Sequence, residues 1–137
     1  MLNEDARQNL SSGSPWEKKV GYSRAVRVGS IIEVSGTVAI NDQNEVVGKN
    51  DPYLQTAFIL QKIKKVLEDC GSKLEDVVRT RIFVTDISRW EEIGKAHGEI
   101  FADIRPATSM IEIKALIDPA YMVEIETTAI YSDKGTV

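Results

Sequence analysis

The segment VVRTRIFVT, residues 77–85, is dense in β-branched side chains and alternates between two kinds of residue, which predicts a β-strand. Residues 107–115 and 122–131 have the same character and predict two further strands. Upstream, residues 22–28 and 31–39 are joined through a Gly-Ser pair that is typical of a two-residue hairpin. The chain therefore contains the strands of one sheet.

Two helices separate these strands. Asp51 is a suitable N-cap for the first, apolar residues then recur at helical spacing, and Gly71 ends it. A second helix is expected over residues 90–101, and Pro106 follows it as a breaker. Residues 45–47 predict a short edge strand. The order β-β-(β)-α-β-α-β-β predicts an α+β fold with a mixed sheet and two helices packed on one of its faces.

Composition limits the domain count and the function classes. The 137 residues are 42% hydrophobic and 28% charged, which is enough for one compact domain. We expect a flexible N-terminal tail over residues 1–15, where the sequence is polar and rich in serine, and a single domain over residues 16–137.

The charge and the cysteine count exclude other classes. The formal charge of −4 does not favour nucleic acid, and no apolar run approaches the roughly 20 residues of a membrane span. One cysteine and one histidine cannot form an intrachain disulfide or a His/Cys zinc site. No signal peptide is visible, so we expect a cytoplasmic protein. Cys70 is best explained as a core residue and His97 as a structural histidine.

Each late strand has two faces. One row is aliphatic and is expected to pack against the helices: Val78, Ile82, Val84; Ser109, Ile111, Ile113; Val123, Ile125, Ala129. The opposite row mixes charged, hydroxyl and apolar side chains: Arg79, Arg81, Phe83, Thr85; Thr108, Met110, Glu112, Lys114; Glu124, Glu126, Thr128, Ile130. By pattern alone, this mixed face is equally consistent with a solvated surface and with a face buried against another subunit.

The motifs of this chain resemble those of the RidA/YjgF family of enamine/imine deaminases over roughly residues 20–131. The matching pieces are GYSRA at residues 21–25, VSG at 34–36, VTD at 84–86, RPATS at 105–109 and VEIE at 123–126. The resemblance implies a chorismate-mutase-like α+β fold and a homotrimer whose sheets line a central barrel. It also places small-molecule pockets at the subunit interfaces, which favours a buried mixed face.

The resemblance implies hydrolysis of reactive 2-imino or 2-enamino acids to 2-oxo acids and ammonia, without a cofactor or metal. Glu124 matches the family's acidic residue near the substrate nitrogen and water, and Tyr22 matches its pocket tyrosine. The family's carboxylate-binding arginine is replaced here by Thr108, and the position that is often cysteine is Met110. Thr108 and Met110 are therefore expected to bind the substrate in a branch of the family that lacks the arginine.

Without this arginine, the residue that binds the substrate carboxylate is not identified. Arg81 and Arg24 both alternate onto rows that can face the pocket, so either could supply a guanidinium in its place. For either residue, the favoured alternative is a salt bridge at the interface with Glu112, Glu124 or Glu126.

Two functions of different class remain, a hydrolytic deaminase and a non-catalytic trimer that binds a metabolite or a protein partner. RNA cleavage is a weaker third reading, because the chain has no basic stripe with interleaved aromatic residues.

Overall fold

The computed structural model describes residues 6–133, which form one six-stranded sheet and three α-helices. Strands β1 to β6 span Arg7–Leu10, Ala25–Val28, Ile31–Val38, Val77–Val84, Ala107–Glu112 and Val123–Ile130. Helices α1 to α3 span Pro15–Val20, Pro52–Asp69 and Trp90–Phe101, and short 3-10 turns cover Leu74–Asp76 and Ile87–Arg89.

The sheet has the strand order β1-β2-β3-β6-β4-β5. Every neighbouring pair is antiparallel except β4 and β5, which are parallel. The chain enters β5 after helix α3, as a parallel connection requires. The predicted α+β class with a mixed sheet is confirmed. The central position of β6 makes it the strand that joins the two halves of the sheet.

Helix α2 covers the centre of one sheet face. The Asp51 carboxylate accepts a hydrogen bond from the backbone N–H of Leu54 at 3.0 Å, and Pro52 occupies the first helical position. Gly71 follows the helix with φ of 79°, a left-handed conformation that glycine adopts without strain. The buried apolar stripe of α2 packs with the inward residues of β3, β4 and β6: Ile59, Leu60, Ile63, Leu67, Ile32, Val34, Ile82, Val84, Val123 and Ile125.

The expected tail over residues 1–15 is wrong where the structure describes it. Residues 7–10 form edge strand β1, and Ser14 caps α1 by accepting a hydrogen bond from the N–H of Trp16. The Glu17 carboxylate is 5% exposed and accepts hydrogen bonds from Ser11 and Ser12. Backbone pairing and serine donors hold this segment, and a polar composition does not reveal either. Residues 1–5 lie outside the described part of the chain.

Strand β5 has its faces reversed relative to the prediction. The parallel register pairs Ile82 with Met110 and aligns Thr108 with the same face, the one covered by helices. Met110 accordingly packs against the core cluster, whereas Ser109 and Ile111 share the opposite face. Strand β5 lies at the edge of the sheet, and the side chains on both of its faces are only partly buried or exposed. Its hydrophobic pattern therefore does not specify which row turns inward.

Two smaller predictions also differ. A register shift between Val77 and Arg79 turns Val78 outward, where it is 42% exposed, and leaves Val77 and Thr80 buried. The edge strand expected over residues 45–47 is reduced to one isolated bridge that involves Val46.

Glycine positions give a direct test of this backbone. Gly98 lies in α3 and a Cβ built there meets no atom within 4 Å, so Gly98→Ala should raise the free energy of unfolding by roughly 1 kcal/mol. Gly48 has φ of 77°, and its Cβ would lie 2.9 Å from the Cβ of Leu54, so Gly48→Ala should lower that free energy. Urea denaturation at one protein concentration compares the two, and a less stable Gly98→Ala variant would contradict the helix geometry.

Candidate functional site

We define the open face as the sheet face opposite α2, and Glu124 lies on it near the start of β6. Val123 and Ile125 on either side of Glu124 are fully buried in the core, which turns the Glu124 side chain to the open face. Glu124 pairs with Phe83 of β4, and Glu126 pairs with Arg81. The mixed row predicted for β4 and β6 therefore does occupy one face.

A glycine leaves the space that the Glu124 carboxyl group occupies. Strand β3 has an irregularity between Val34 and Thr37, opposite residues 125–127 of β6. A Cβ built on Gly36 within this irregularity would lie 2.8 Å from both Cδ and Oε1 of Glu124. Any larger residue at position 36 would therefore displace the carboxyl group.

Arg24 and Tyr22 complete what we call the Glu124 cluster, which consists of Tyr22, Arg24, Gly36 and Glu124. Nη2 of Arg24 donates a hydrogen bond to the Gly36 carbonyl at 2.7 Å. The guanidinium carbon lies 6.0 Å from the centre of the Tyr22 ring, a cation–π distance. Nε of Arg24 is buried and has no hydrogen-bond partner among residues 6–133. The cluster thus places a carboxylate, a guanidinium and a phenol together.

The environment raises the pKa of Glu124. Burial is the largest cause, the nearby Glu126 carboxylate acts in the same direction, and the Arg24 charge opposes them in part. A carboxyl group with a raised pKa exchanges protons more readily at neutral pH, which suits general acid–base chemistry.

Two polar side chains of α2 hold the backbone around this cluster. The Gln55 amide, fully buried on α2, accepts a hydrogen bond from the N–H of Met122 at 2.8 Å and donates to the Ala120 carbonyl at 2.9 Å. These bonds fix the start of β6 immediately before Glu124. Sequence reasoning missed Gln55, because a glutamine within a helix gives no signal of the loop it contacts.

Lys62, also on α2, holds the backbone at the end of β3 through hydrogen bonds to carbonyl groups. Its ammonium group donates to the carbonyls of Val38 and Ile40 at 2.9 and 3.0 Å, just after β3 ends. Burial, assisted by the Arg24 charge, lowers the pKa of Lys62 to about 8. From the sequence, Lys62 belongs to a basic helix face that is normally solvated, so its structural role was not predicted.

The predicted binding residues on β5 lie apart from the Glu124 cluster within one chain. Thr108 donates a hydrogen bond to the Pro106 carbonyl at 3.1 Å and lies 2.8 Å from the Thr80 hydroxyl on the helix-covered face. Met110 packs on the same side. Strand β4 lies between β5 and β6, so the chain carries two separate groups of candidate site residues.

The two candidate cations also differ in position. Arg24 belongs to the Glu124 cluster. Arg81 lies opposite Glu126 in the strand register and donates a hydrogen bond to the Thr128 hydroxyl at 3.5 Å. Of the two, Arg24 is the one whose charge opposes the rise in the pKa of Glu124, and it is hydrogen-bonded to Gly36, which the Glu124 carboxyl group approaches.

Other kinds of site find no support in the described chain. Residues 6–133 contain no group of three or more His, Cys, Asp or Glu side chains that could hold a metal ion. Within the same residues, no helix has both the length and the apolar composition needed to cross a membrane. Cys70 is a buried free thiol, in agreement with the predicted core position.

Comparison with known proteins identifies the family to which this fold belongs. A family model described as Endoribonuclease L-PSP matches residues 14–131. The chain is 48% identical to Rv2704 of Mycobacterium tuberculosis, described as a member of the YjgF/YER057c/UK114 family; the match covers 92% of this chain and all of that one, with a TM-score of 0.83. An uncharacterized Streptomyces coelicolor protein is 32% identical over 93% of this chain and 95% of its own.

A RutC family protein from Pyrococcus abyssi is also similar, with 30% identity over 82% of this chain and 88% of its own length. The chain therefore belongs to the YjgF/RidA family. The resemblance inferred from the motifs is confirmed.

The raised pKa of Glu124 predicts a stability change in Glu124→Gln. A pKa above the unfolded value of 4.5 means that the native state binds the proton more tightly, so wild-type stability falls as pH rises through the folded pKa. The neutral glutamine avoids this loss. We expect Glu124→Gln to be more stable than wild type at pH 7 and to lose that advantage as pH falls through the raised pKa of Glu124 towards 4.5. Urea denaturation across this pH range measures it, and equal stability at pH 7 would contradict the raised pKa.

Proposed function

We propose that this protein is a hydrolytic deaminase that converts reactive imines or enamines to a carbonyl compound and ammonia, at sites between the subunits of a homotrimer. The observation that carries this proposal is the Glu124 cluster. A half-buried carboxyl group with a raised pKa lies beside a guanidinium and a phenol on a sheet face that α2 does not cover.

The reaction needs only water and proton transfer. The Glu124 carboxylate accepts a proton from water as the oxygen attacks the imine carbon and passes that proton to the nitrogen, which gives a neutral carbinolamine. Glu124 then accepts the carbinolamine hydroxyl proton and donates it to the nitrogen, so the carbon–nitrogen bond breaks, the carbonyl forms and ammonia leaves. Because the imine carbon is already electrophilic, the proposal requires no cofactor.

A second copy of the chain is proposed to supply the rest of the site. Thr108 is exposed on edge strand β5, and no rearrangement within one chain brings it to Glu124 on the opposite face across β4. The open face also carries exposed apolar side chains, with Ile31 52% and Ile130 46% exposed. An interface between copies would bury these residues and bring Thr108 and Met110 of one copy towards the Glu124 cluster of the next.

Arg24 is the better candidate for the substrate anion than Arg81. Its charge acts on the Glu124 carboxyl group, and its Nη2 is held by the carbonyl of Gly36, the residue that the Glu124 carboxyl group approaches. In this proposal Arg24 attracts the substrate carboxylate, Tyr22 closes the pocket, and Thr108 and Met110 contact the substrate from the neighbouring copy. The buried thiol of Cys70 is compatible with the reducing cytoplasm, which is the proposed compartment.

The alternative is a non-catalytic trimer that binds a metabolite or protein partner through the same clefts. Thr108 favours it, because a hydroxyl replaces a charged bidentate anchor worth several kcal/mol. RNA cleavage, which the family model's description suggests, is a third function, and the net charge of −4 argues against it.

Ammonia release from 2-iminopropionate or 2-iminobutyrate, generated in a coupled assay, separates these functions. We expect acceleration over buffer by the wild type and a loss of at least about 100-fold in Glu124→Ala, because a general acid–base is removed. Glu68→Ala changes an exposed glutamate of α2 and serves as the control, with its rate retained.

Thr108→Arg extends this test. If the remaining pocket is competent, the restored guanidinium should increase the rate by binding the substrate carboxylate. Absence of acceleration by both wild type and Thr108→Arg would reject the deaminase and leave the binding protein. A Glu124→Ala variant at full rate would show that another group carries the chemistry.

A further inference from the structure

Thr80 is a polar residue at a core position. It is fully buried on β4, in the same inward row as Ile82 and Val84. A buried hydroxyl group is costly unless it is hydrogen-bonded. Thr80 meets this requirement on both sides: its Oγ1 lies 2.9 Å from Nε2 of His97 and 2.8 Å from Oγ1 of Thr108.

These contacts form a continuous chain across three elements. His97 is half-buried on α3 with its ring 4.7 Å from that of Phe101, Thr80 lies within the core, and Thr108 is exposed on β5. The Thr108 hydroxyl is also 3.1 Å from the Pro106 carbonyl. The chain thus connects an imidazole under the helices to a hydroxyl group at the edge of the sheet.

Each hydroxyl group has a single proton to donate, so the hydrogen bonds from His97 through Thr80 to Thr108 can run in only two donor-to-acceptor orders. If Nε2 of His97 carries hydrogen, it donates to Thr80, Thr80 donates to Thr108, and the Thr108 proton is directed to the Pro106 carbonyl or outward. If Nε2 has no hydrogen, Thr80 donates to it, Thr108 donates to Thr80, and only lone pairs of Thr108 remain for an outside group.

We propose that His97 is a positioning residue whose tautomer determines whether the Thr108 hydroxyl donates or accepts a hydrogen bond at its exposed end. Burial lowers the pKa of His97, so the ring is neutral at neutral pH and has one N–H to place. With hydrogen on Nε2, Thr108 is a donor for a carboxylate or carbonyl oxygen. With hydrogen on Nδ1, it is an acceptor for the N–H of an imine or amine.

The link to substrate rests on the proposed function, which places Thr108 at the ligand. The coupling of His97 to Thr108 rests only on the hydrogen bonds through Thr80. Thr108 occupies the position of the family's arginine, and an arginine can only donate. A hydroxyl group whose donor or acceptor role is determined by His97 can instead contact either the carboxylate or the imine N–H of an imino acid.

The single histidine of this chain makes the coupling measurable. Labelling with ¹⁵N-histidine gives the two ring nitrogens of His97 alone, and their NMR shifts report which one carries hydrogen. In the ligand-free protein at pH 7.5, we expect Thr108→Val to shift the Nε2 signal, although residue 108 does not touch the ring. Thr108→Ser, which keeps the hydroxyl group, should restore the wild-type signal.

Two further variants complete the design. Thr80→Val should shift the signal at least as much, because it removes the group that bonds His97 directly. Ser109→Ala, the next residue on β5 and on the opposite face, should leave it unchanged. The inference is overturned if Thr108→Val leaves both ring signals at their wild-type positions while Thr80→Val moves them.

Titration with 2-oxobutyrate, the product of the proposed reaction on 2-iminobutyrate, separates this inference from the proposed function. Binding at Thr108 should move the His97 signals in wild type and not in Thr80→Val. Coupling in the free protein without any response to 2-oxobutyrate would support the inference and count against the proposed ligand site.

Discussion

Strand β6 connects the core to the candidate site through its two-residue alternation. Its inward side chains, Val123 and Ile125, are fully buried under α2, and this fixes the outward direction of Glu124 between them. A shift of one residue would bury two carboxylates and expose the core row, so the register is strongly determined. Gly36 on the neighbouring strand then gives the carboxyl group its space.

The parts of the fold that local physics determines were predictable from the sequence. Helix α2 carries its own cap, its apolar stripe and its terminating glycine, and β6 alternates cleanly between buried and half-buried residues. Strand β5 does not, because an edge strand with Ile111 on one face and Met110 on the other can be buried either way. Strand β1 is paired with β2 through its backbone, and its mostly polar side chains do not signal this pairing.

The candidate site was predictable in part. Glu124, Tyr22 and Arg24 were identified from motifs and strand rows, and the structure brings them together. The approach of Gly36 to Glu124 depends on a strand irregularity, and the hydrogen bonds of Gln55 to Ala120 and Met122 connect positions 65 and 67 residues apart. Such contacts arise only when the sheet is assembled.

Thr108 and the Glu124 cluster lie on opposite faces of one sheet, so the proposed chemistry depends on more than one copy of the chain. Sedimentation equilibrium of the purified protein tests this dependence most directly. The expected mass is that of three 15.2 kDa chains. A particle with the mass of a single chain, at every concentration, would leave Glu124 without a partner surface and contradict the account.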